Sequence, residues 1–187
     1  MHIVLLEPEI PYNTGNVGRT CAAVGAALHL IRPLGFDTSD KAIKRAGMDY
    51  WKDVDVRYHD NFQDFVTANG LDQNGEARLF MSTTKAPRPY TEVDYNIDDF
   101  IMFGKESGGI PEQILRKYSD TIVRIPMLEN KRSLNLSNSV AIVLYEALRQ
   151  NGFQGLQRTG RLNRTTNGGE VIYEKTACRN TDFQRNH

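Results

Sequence analysis

Three separated segments of the chain combine glycines with amide, hydroxyl and charged side chains. They are residues 13–19 (NTGNVGR), 103–111 (FGKESGGIP) and 125–139 (IPMLENKRSLNLSNS). Glycine lets a backbone approach a ligand closely, and the polar side chains supply hydrogen-bond donors and acceptors. Each segment comes after a short apolar run, where a buried strand would end. We therefore expect these segments to carry the binding or catalytic chemistry of the chain.

The first segment predicts an anion site at the start of a helix. Exposed amides at a helix start attract anions, and Arg19, one turn in, has the planar pair of donors that holds a phosphate. The residues alone leave a second interpretation open, which is a capped helix start with a surface arginine.

The other two segments predict close backbone contact with a ligand. In residues 103–111, three glycines open the backbone, Glu106 adds an acceptor and Pro111 suits the first turn of a helix. A tight strand-to-helix connection is the alternative. Residues 125–139 hold more hydroxyls and amides than helix capping requires, and such groups suit an adenine or a ribose. This surplus indicates a site.

Several other kinds of site are disfavoured. A dinucleotide-binding GxGxxG pattern is absent after the first apolar run, where only Gly15 and Gly18 occur, so a nucleotide-dependent oxidoreductase is disfavoured. The phosphate-binding pattern GxxxxGK[ST] is also absent. Cys21 and Cys178 have no CxxC neighbour, and the four histidines show no metal-ligand spacing. We predict neither a metal site nor a disulfide framework.

Length and composition indicate one globular domain, alone or with a tail. The chain has 187 residues, 40% of them hydrophobic, and its 23 basic and 23 acidic residues cancel. The balance is uneven, because residues 1–155 carry a net charge of −3 and residues 156–187 carry +3. Local basic patches can supply the phosphate contacts of a specific RNA. With no membrane-length apolar stretch and no secretory signal pattern, a cytoplasmic protein is expected.

Six short apolar runs alternate with helix-compatible segments. Such runs are typical of strands buried on both faces, and the alternation is typical of a parallel sheet with helices on both faces. We therefore predict an α/β fold. The predicted strands cover residues 2–6, 28–31, 54–58, 78–82, 100–103 and 121–125. The predicted helices cover residues 15–26, 39–47, 61–69, 111–118 and 136–151.

The last helix is the best defined. Asn135 or Ser137 can cap its start, and Gly152 follows its end. After Gly155 the apolar periodicity stops, so we predict a domain over residues 1–155 and a basic C-terminal extension over 156–187. The extension is interpreted as disordered or as a partner-binding arm. The apolar positions of the helix recur every three or four residues: Leu136, Val140, Val143, Leu144, Ala147 and Leu148.

The three polar segments have the order and spacing of the three motifs of the SPOUT methyltransferases. The chain resembles the SpoU-type RNA 2′-O-ribose methylases of that superfamily in residues 13–19, 103–111 and 125–140. The opening EPEIPYNTGN and residues 45–51 (RAGMDYW) are similar to the short members that modify the wobble nucleotide of tRNA. The resemblance covers about residues 2–155.

This resemblance implies a fold, a cofactor and partners. It implies a deep trefoil knot in the carboxyl-terminal part of the domain, S-adenosylmethionine bound in that knot, and a homodimer with composite active sites. The implied reaction methylates the ribose 2′-hydroxyl of nucleotide 34, a cytidine or a uridine, in the tRNA anticodon stem-loop. Neither a metal nor a membrane is implied.

The resemblance also assigns site residues by their motif positions, and we expect the three segments to converge on one pocket. The residues assigned to catalysis and its support are Asn16, Arg19, Glu106, Ser137 and Asn138. The residues assigned to the cofactor are Ser82, Thr83, Thr84, Gly104, Glu106, Ile125, Met127, Ser133 and Leu134.

The resemblance implies that Arg19 activates the ribose hydroxyl. Because a guanidinium has donors and no acceptor, our interpretation is that Arg19 orients the target phosphate and polarises the ribose oxygen. A true base would need a strongly desolvated, electropositive pocket. Glu106 would position Arg19 or the adenosine. Lys105 departs from the family, which more often has proline there, and this leaves the rigidity of the loop open.

Basic residues near the motifs are candidates for phosphate contacts with RNA, whose unpaired loops offer stacked bases and phosphates. Each alone is explained as a solvated surface charge, whereas together they favour RNA binding. A non-catalytic RNA-binding or assembly module is the alternative function. The candidates are Lys41, Lys44, Arg45, Lys85, Arg88, Lys131 and Arg132.

Overall fold

The computed structural model describes residues 1–37, 49–71 and 77–160. The chain divides into two compact units, Met1–Leu156 and Gln157–His187, and the second is described only at residues 157–160. The predicted helix over 39–47 lies outside the described residues, as do Lys41, Lys44 and Arg45.

The first unit is built on a parallel sheet, six-stranded within the described residues. The strands are β1 (His2–Leu6), β2 (Ala27–Ile31), β3 (Val56–His59), β4 (Leu79–Ser82), β5 (Phe100–Phe103) and β6 (Ile122–Val123). Their order is β3-β2-β1-β5-β4-β6, and all five pairings are parallel. The predicted α/β fold with a parallel sheet is confirmed.

Helices pack on both faces of this sheet, because successive strand side chains point to opposite sides. The described α-helices are α1 (Pro11–Val24), α2 (Phe62–Ala68), α3 (Glu112–Lys117) and α4 (Leu136–Gln150). Ile3 and Leu5 of β1 join a core with α1 and α4. Val4 and Leu6 join the opposite core with α2 and α3. Short 3₁₀ helices lie at Asp49–Asp53, Tyr90–Glu92 and Ser119–Thr121.

Helix α1 begins at Pro11, earlier than the predicted start at residue 15. Proline suits the first helical turn because it has no amide hydrogen to satisfy there. Ile10, at the capping position, makes no side-chain cap. A distant carboxylate, that of Glu106, accepts hydrogen bonds from the amides of Glu9 and Ile10 instead. The prediction placed the start too late because this cap comes from another part of the chain.

The prediction that all strands are buried on both faces is wrong at the edges of the sheet. Strands β2 and β5 are buried throughout, whereas Arg57 and Tyr58 of the edge strand β3 are exposed. The other edge strand, β6, has only two residues, because a 3₁₀ turn precedes it and Pro126 follows shortly after. An apolar run in the sequence does not reveal which strand has a neighbour on one side only.

Three histidines to which the sequence assigned no chemistry form a hydrogen-bonded chain across β1, β2 and β3. Nδ1 of His2 lies 3.1 Å from Nε2 of His29, and Nδ1 of His29 lies 2.9 Å from Nε2 of His59. His29 is fully buried and its ring contacts Phe65 and Phe100 edge-on. Burial lowers the pKa of His29 to about 3 and that of His2 to about 4.

The hydrogen-bonded histidines predict that the fold loses stability in mild acid. Unfolded histidines take up protons near pH 6.5, whereas His2 and His29 stay neutral in the fold until about pH 4 and 3. Their contribution to the free energy of unfolding is therefore fully present above pH 6.5. It falls as the pH drops toward 4, by at most about 1.4 kcal/mol per pH unit for each histidine. Urea unfolding at several pH values measures this slope. His29→Leu should make the slope shallower, and an unchanged slope would contradict the assignment.

The described residues give no sign of a membrane segment or a metal centre. None of their helices has both the length and the apolar character of a membrane span. The same residues contain no cluster of three or more His, Cys, Asp or Glu that could hold a metal ion. Cys21 is a free thiol, and burial raises its pKa to about 12. Cys178 lies outside the described residues.

Candidate functional site

A pocket of about 500 Å³ opens at the carboxyl ends of the strands. Strands β1 and β5 are neighbours there, with β2 continuing the sheet on one side and β4 on the other. Open parallel sheets bind ligands at such a point, because the loops leave toward opposite sides and make a crevice. The walls come from the loops after β1, β4, β5 and β6 and from the start of α4. Residues of all three polar segments therefore meet at one cavity, to which the first segment contributes Asn13 of α1.

The loop after β5 doubles back on itself, and Gly104 makes this fold-back fit. The amide of Gly109 donates to the carbonyl of Lys105 at 2.8 Å, and the two residues form an isolated antiparallel bridge. A Cβ on Gly104 would overlap the backbone of Gly109 and Ile110. Gly109 has a φ of 67°, which favours glycine. The glycines therefore leave the loop backbone exposed along the pocket wall.

Glu106 holds the loop after β1 in place. One of its carboxylate oxygens accepts the amide hydrogen of Glu9 at 2.8 Å. The other accepts from the amide of Ile10 at 3.3 Å and from Nδ2 of Asn13 at 2.8 Å. Both oxygens thus face donors, and the negative charge lies at the amino end of α1, where a helix dipole favours it. Glu106 serves as an acceptor that positions α1.

Two asparagines extend this contact from the first motif to the third. Nδ2 of Asn13 donates a hydrogen bond to Glu106, which leaves Oδ1 of Asn13 as an acceptor. This Oδ1 accepts a hydrogen bond from Nδ2 of Asn135 at 2.9 Å. Oδ1 of Asn135 then accepts from the amides of Ser137 and Asn138 at 3.0 and 3.4 Å. The carboxylate fixes the orientation of each amide in turn. A directional chain of hydrogen bonds therefore joins β5, α1 and α4.

The remaining walls supply hydroxyls on one side and apolar groups on the other. Ser82 ends β4, and the amide of Thr83 donates to the carbonyl of Val123 at 2.9 Å, which joins the loop after β4 to β6. Ile125 and Met127 follow β6 and are partly buried. This combination of apolar surface with a few polar groups is what a nucleoside requires.

Among the described residues, the pocket brings together every residue assigned to the cofactor, and one residue assigned to catalysis. The assigned residues that line the pocket are Ser82, Thr83, Thr84, Gly104, Glu106, Ile125, Met127, Ser133 and Leu134. Asn16 and Arg19 lie on exposed positions of α1, and Ser137 and Asn138 in the first turn of α4, and none of these four lines the pocket of the single chain.

Sequence reasoning missed the roles of Asn13 and Asn135, which both line the pocket and join Glu106 to α4. Asn13 opens the first motif, but its amide was not distinguished from that of Asn16. Asn135 was interpreted only as a helix cap. The available signal was one amide or carboxylate in each of the three motifs, at Asn13, Glu106 and Asn135. Buried polar groups require partners, so these side chains could have been expected to bind one another.

The predicted anion site at residues 13–19 needs correction. These residues lie inside α1, with Gly15 and Gly18 buried, and not at its exposed start. The amides nearest the start already bind an anion, which is the carboxylate of Glu106. The helix start therefore holds a side chain of the same molecule.

The cations at the pocket are mostly ion-paired. Nζ of Lys85 lies 2.8 Å from Glu112, and Nζ of Lys105 lies 2.9 Å from Glu7. The hydrogen bond with Glu7 raises the pKa of Lys105. The carboxylate of Glu9 accepts hydrogen bonds from the hydroxyl and the amide of Ser107, and these bonds lower the pKa of Glu9.

Comparison with known proteins agrees with this geometry. A protein of Geobacillus stearothermophilus is 50% identical over 159 residues, which cover 83% of this chain and 98% of the other. The tRNA (cytidine(34)-2′-O)-methyltransferase of Yersinia pestis is 47% identical over 156 residues, covering 83% of this chain and 96% of the other.

Solved structures are similar over the same region. One, described as giving structural insights into the 2-OH methylation of C/U34 on tRNA, has a TM-score of 0.74 and 45% identity, covering 81% of this chain and 95% of the other. An AdoMet-bound rRNA methyltransferase of Sinorhizobium meliloti has a TM-score of 0.68 and 25% identity, covering 79% and 55%. The model of the SpoU rRNA Methylase family matches residues 1–145. The chain belongs to the SpoU rRNA methylase family.

Proposed function

We propose that this chain transfers a methyl group from S-adenosylmethionine to the ribose 2′-oxygen of nucleotide 34, a cytidine or a uridine, in the anticodon loop of tRNA. The observation that carries the proposal is the single pocket formed by the three motifs, in a chain 47% identical to a tRNA (cytidine(34)-2′-O)-methyltransferase. A tRNA substrate supports a cytoplasmic location for this activity.

The lining of the pocket fits S-adenosylmethionine. A volume of about 500 Å³ lies within the range of nucleotide-sized ligand sites. The exposed backbone around Gly104 and the hydroxyls of Ser82 and Thr83 suit the adenosine, while Ile125 and Met127 supply apolar contacts. When bound, this group supplies a methyl on a positively charged sulfur. Ser133 and Leu134 would close the pocket from the side of α4.

The residues of the chain have to align the ribose hydroxyl with the methyl group and polarise its O–H bond. Glu106 already accepts three hydrogen bonds, so its part is to hold Asn13 and the start of α1. Arg19 would orient the target phosphate and polarise the hydroxyl, because a guanidinium donates and cannot accept. Alignment of this kind contributes about 7–11 kcal/mol in favourable cases.

A homodimer with composite active sites and a trefoil knot belong to the same proposal. Asn16, Arg19, Ser137 and Asn138 lie outside the pocket lining of the single chain, which supports a site completed by a second chain. Exposed Tyr12 and Tyr145 on α1 and α4 supply apolar surface for such a contact. Equilibrium sedimentation would test the dimer.

The tRNA would bind across the cations beside the pocket. Lys85 and Arg132 line the cavity, and Arg88 lies in the loop after β4, where it donates to the carbonyl of Asp120. Lys131 is exposed in the loop after β6. Phosphates of a splayed anticodon loop are the ligands that such side chains recognise.

Transfer of labelled methyl from S-adenosylmethionine to a tRNA pool tests the proposed function. Arg19→Ala is expected to reduce transfer at least about 100-fold, since loss of substrate alignment has effects of this size, while the affinity for S-adenosylmethionine changes little. Arg116→Ala, which removes an arginine side chain that is 82% exposed on α3, is the matched control. If the wild-type chain transfers no methyl group and Arg19→Ala binds tRNA as tightly as the wild type does, the non-catalytic RNA-binding module is favoured.

A further inference from the structure

The ion pair between Glu7 and Lys105 joins the pocket wall to a carboxylate outside it. Lys105 lines the pocket, Glu7 does not, and their charged atoms lie 2.9 Å apart. Glu7 is fixed by its own backbone, because its amide donates to the carbonyl of Ile31 at 2.9 Å and its φ is 51°. The carboxylate of Glu7 therefore lies against the ammonium group of a residue in the pocket lining.

The pocket carries more positive than negative charge on its lining. Within the described residues, the charged lining side chains are the cations Lys85, Lys105 and Arg132 and the carboxylate Glu106. Glu112 neutralises Lys85 and Glu7 neutralises Lys105, each from outside the lining. Without these two partners, the cavity would repel a ligand with a net positive charge.

We propose that Glu7 is a specificity-determining residue, which cancels the charge of Lys105 so that the pocket does not favour the neutral product over the cationic methyl donor. The inference rests on the proposed function. Methyl transfer breaks the bond between sulfur and the methyl carbon, leaves the electron pair on sulfur and forms the bond to the ribose oxygen, whose proton passes to solvent water. The sulfonium S-adenosylmethionine thereby becomes the neutral thioether S-adenosylhomocysteine.

The two ligands separate a charge effect from a loop effect. They share the adenosine, the amino group and the carboxylate, so a disturbed loop weakens both by a similar factor. A charge added or removed at the wall acts equally on the amino and carboxylate groups that both ligands share, so only its effect on the sulfonium changes the ratio of the two dissociation constants. The side chains of Lys105 and Glu7 are 37% and 32% exposed, and pairs this exposed contribute little to folding, so the variants should fold.

Calorimetric dissociation constants for both ligands test the proposal on the full chain. Glu7→Gln should weaken S-adenosylmethionine roughly fivefold relative to S-adenosylhomocysteine in low salt, as expected for one unbalanced charge near the cavity, and less in high salt. Lys105→Met should shift the ratio in the opposite direction. The double variant and the conservative variant Glu7→Asp should return to the wild-type ratio. Asp60→Asn, which breaks the ion pair of Asp60 with Arg32, is the control and should leave the ratio unchanged.

The outcomes distinguish the inference from the function on which it rests. Parallel changes in both dissociation constants, with an unchanged ratio, would show that the pair only shapes the loop and would overturn the inference while the function stands. A wild-type chain that is folded, by its far-ultraviolet circular dichroism, and binds neither ligand would overturn the proposed function and the inference with it.

Discussion

Replacing Gly104 by alanine is expected to remove binding of S-adenosylmethionine and to destabilise the fold. The added Cβ would overlap the backbone of Gly109 and Ile110, and backbone cannot rotate away as the end of a side chain can. The hydrogen bond from Gly109 to Lys105 would have to break, which opens the pocket wall. Overpacking of this kind costs about 1–3 kcal/mol or more. Calorimetry for the ligand and urea unfolding for the fold measure the two effects.

Gly108 provides a matched control on the same loop. A Cβ at Gly108 would lie 3.4 Å from Cε of Lys105, an ordinary contact with a flexible side chain. Gly108→Ala should therefore keep wild-type stability to within about 0.5 kcal/mol and retain ligand binding. If Gly104→Ala binds S-adenosylmethionine as tightly as Gly108→Ala does, the pocket wall is not where we place it.

Glu106→Gln is the second substitution with a large expected effect. Both carboxylate oxygens face donors, so a glutamine in either orientation turns its NH₂ group toward an amide hydrogen or toward Nδ2 of Asn13. A partly buried donor left without an acceptor costs up to about 1–3 kcal/mol. The start of α1 and the chain through Asn135 would shift, and methyl transfer should fall about 100-fold or more, as misalignment near 1 Å can cause.

The measurement pairs urea unfolding with labelled methyl transfer to tRNA. Glu112→Gln is the stability control, because Glu112 is 59% exposed and its partners Lys85 and Arg116 are also exposed. An exposed pair of this kind contributes about 1 kcal/mol or less. Equal stability of the two variants would contradict the capping role that we assign to Glu106.

The sheet was predictable because its central strands are continuous apolar runs. The predicted bounds match β1 and β5, whose side chains are nearly all buried. The start of α1 was not predictable, because its cap is Glu106, about a hundred positions later in the chain. Local patterns carry local propensity, whereas a cap supplied by another loop is a tertiary contact.

The candidate site was predictable as a set of segments and not as a network. The glycines and polar residues around Gly104 and Ser133 identified the pocket walls. The hydrogen bonds of Asn13 and Asn135 depend on how the loops approach one another, which no spacing specifies. The histidine chain centred on His29 was missed for the same reason, because the parallel register places each ring diagonally across from the next on the same face of the sheet.

Mass spectrometry of anticodon-loop fragments shows whether the chain methylates the ribose of nucleotide 34. Unmodified tRNA would be incubated with S-adenosylmethionine, with and without the protein, and the loop fragments would be sequenced by fragmentation. We predict one added methyl group, on the ribose of nucleotide 34. A methyl group on a base, on another nucleotide, or on no nucleotide of any tRNA in the pool would contradict the account.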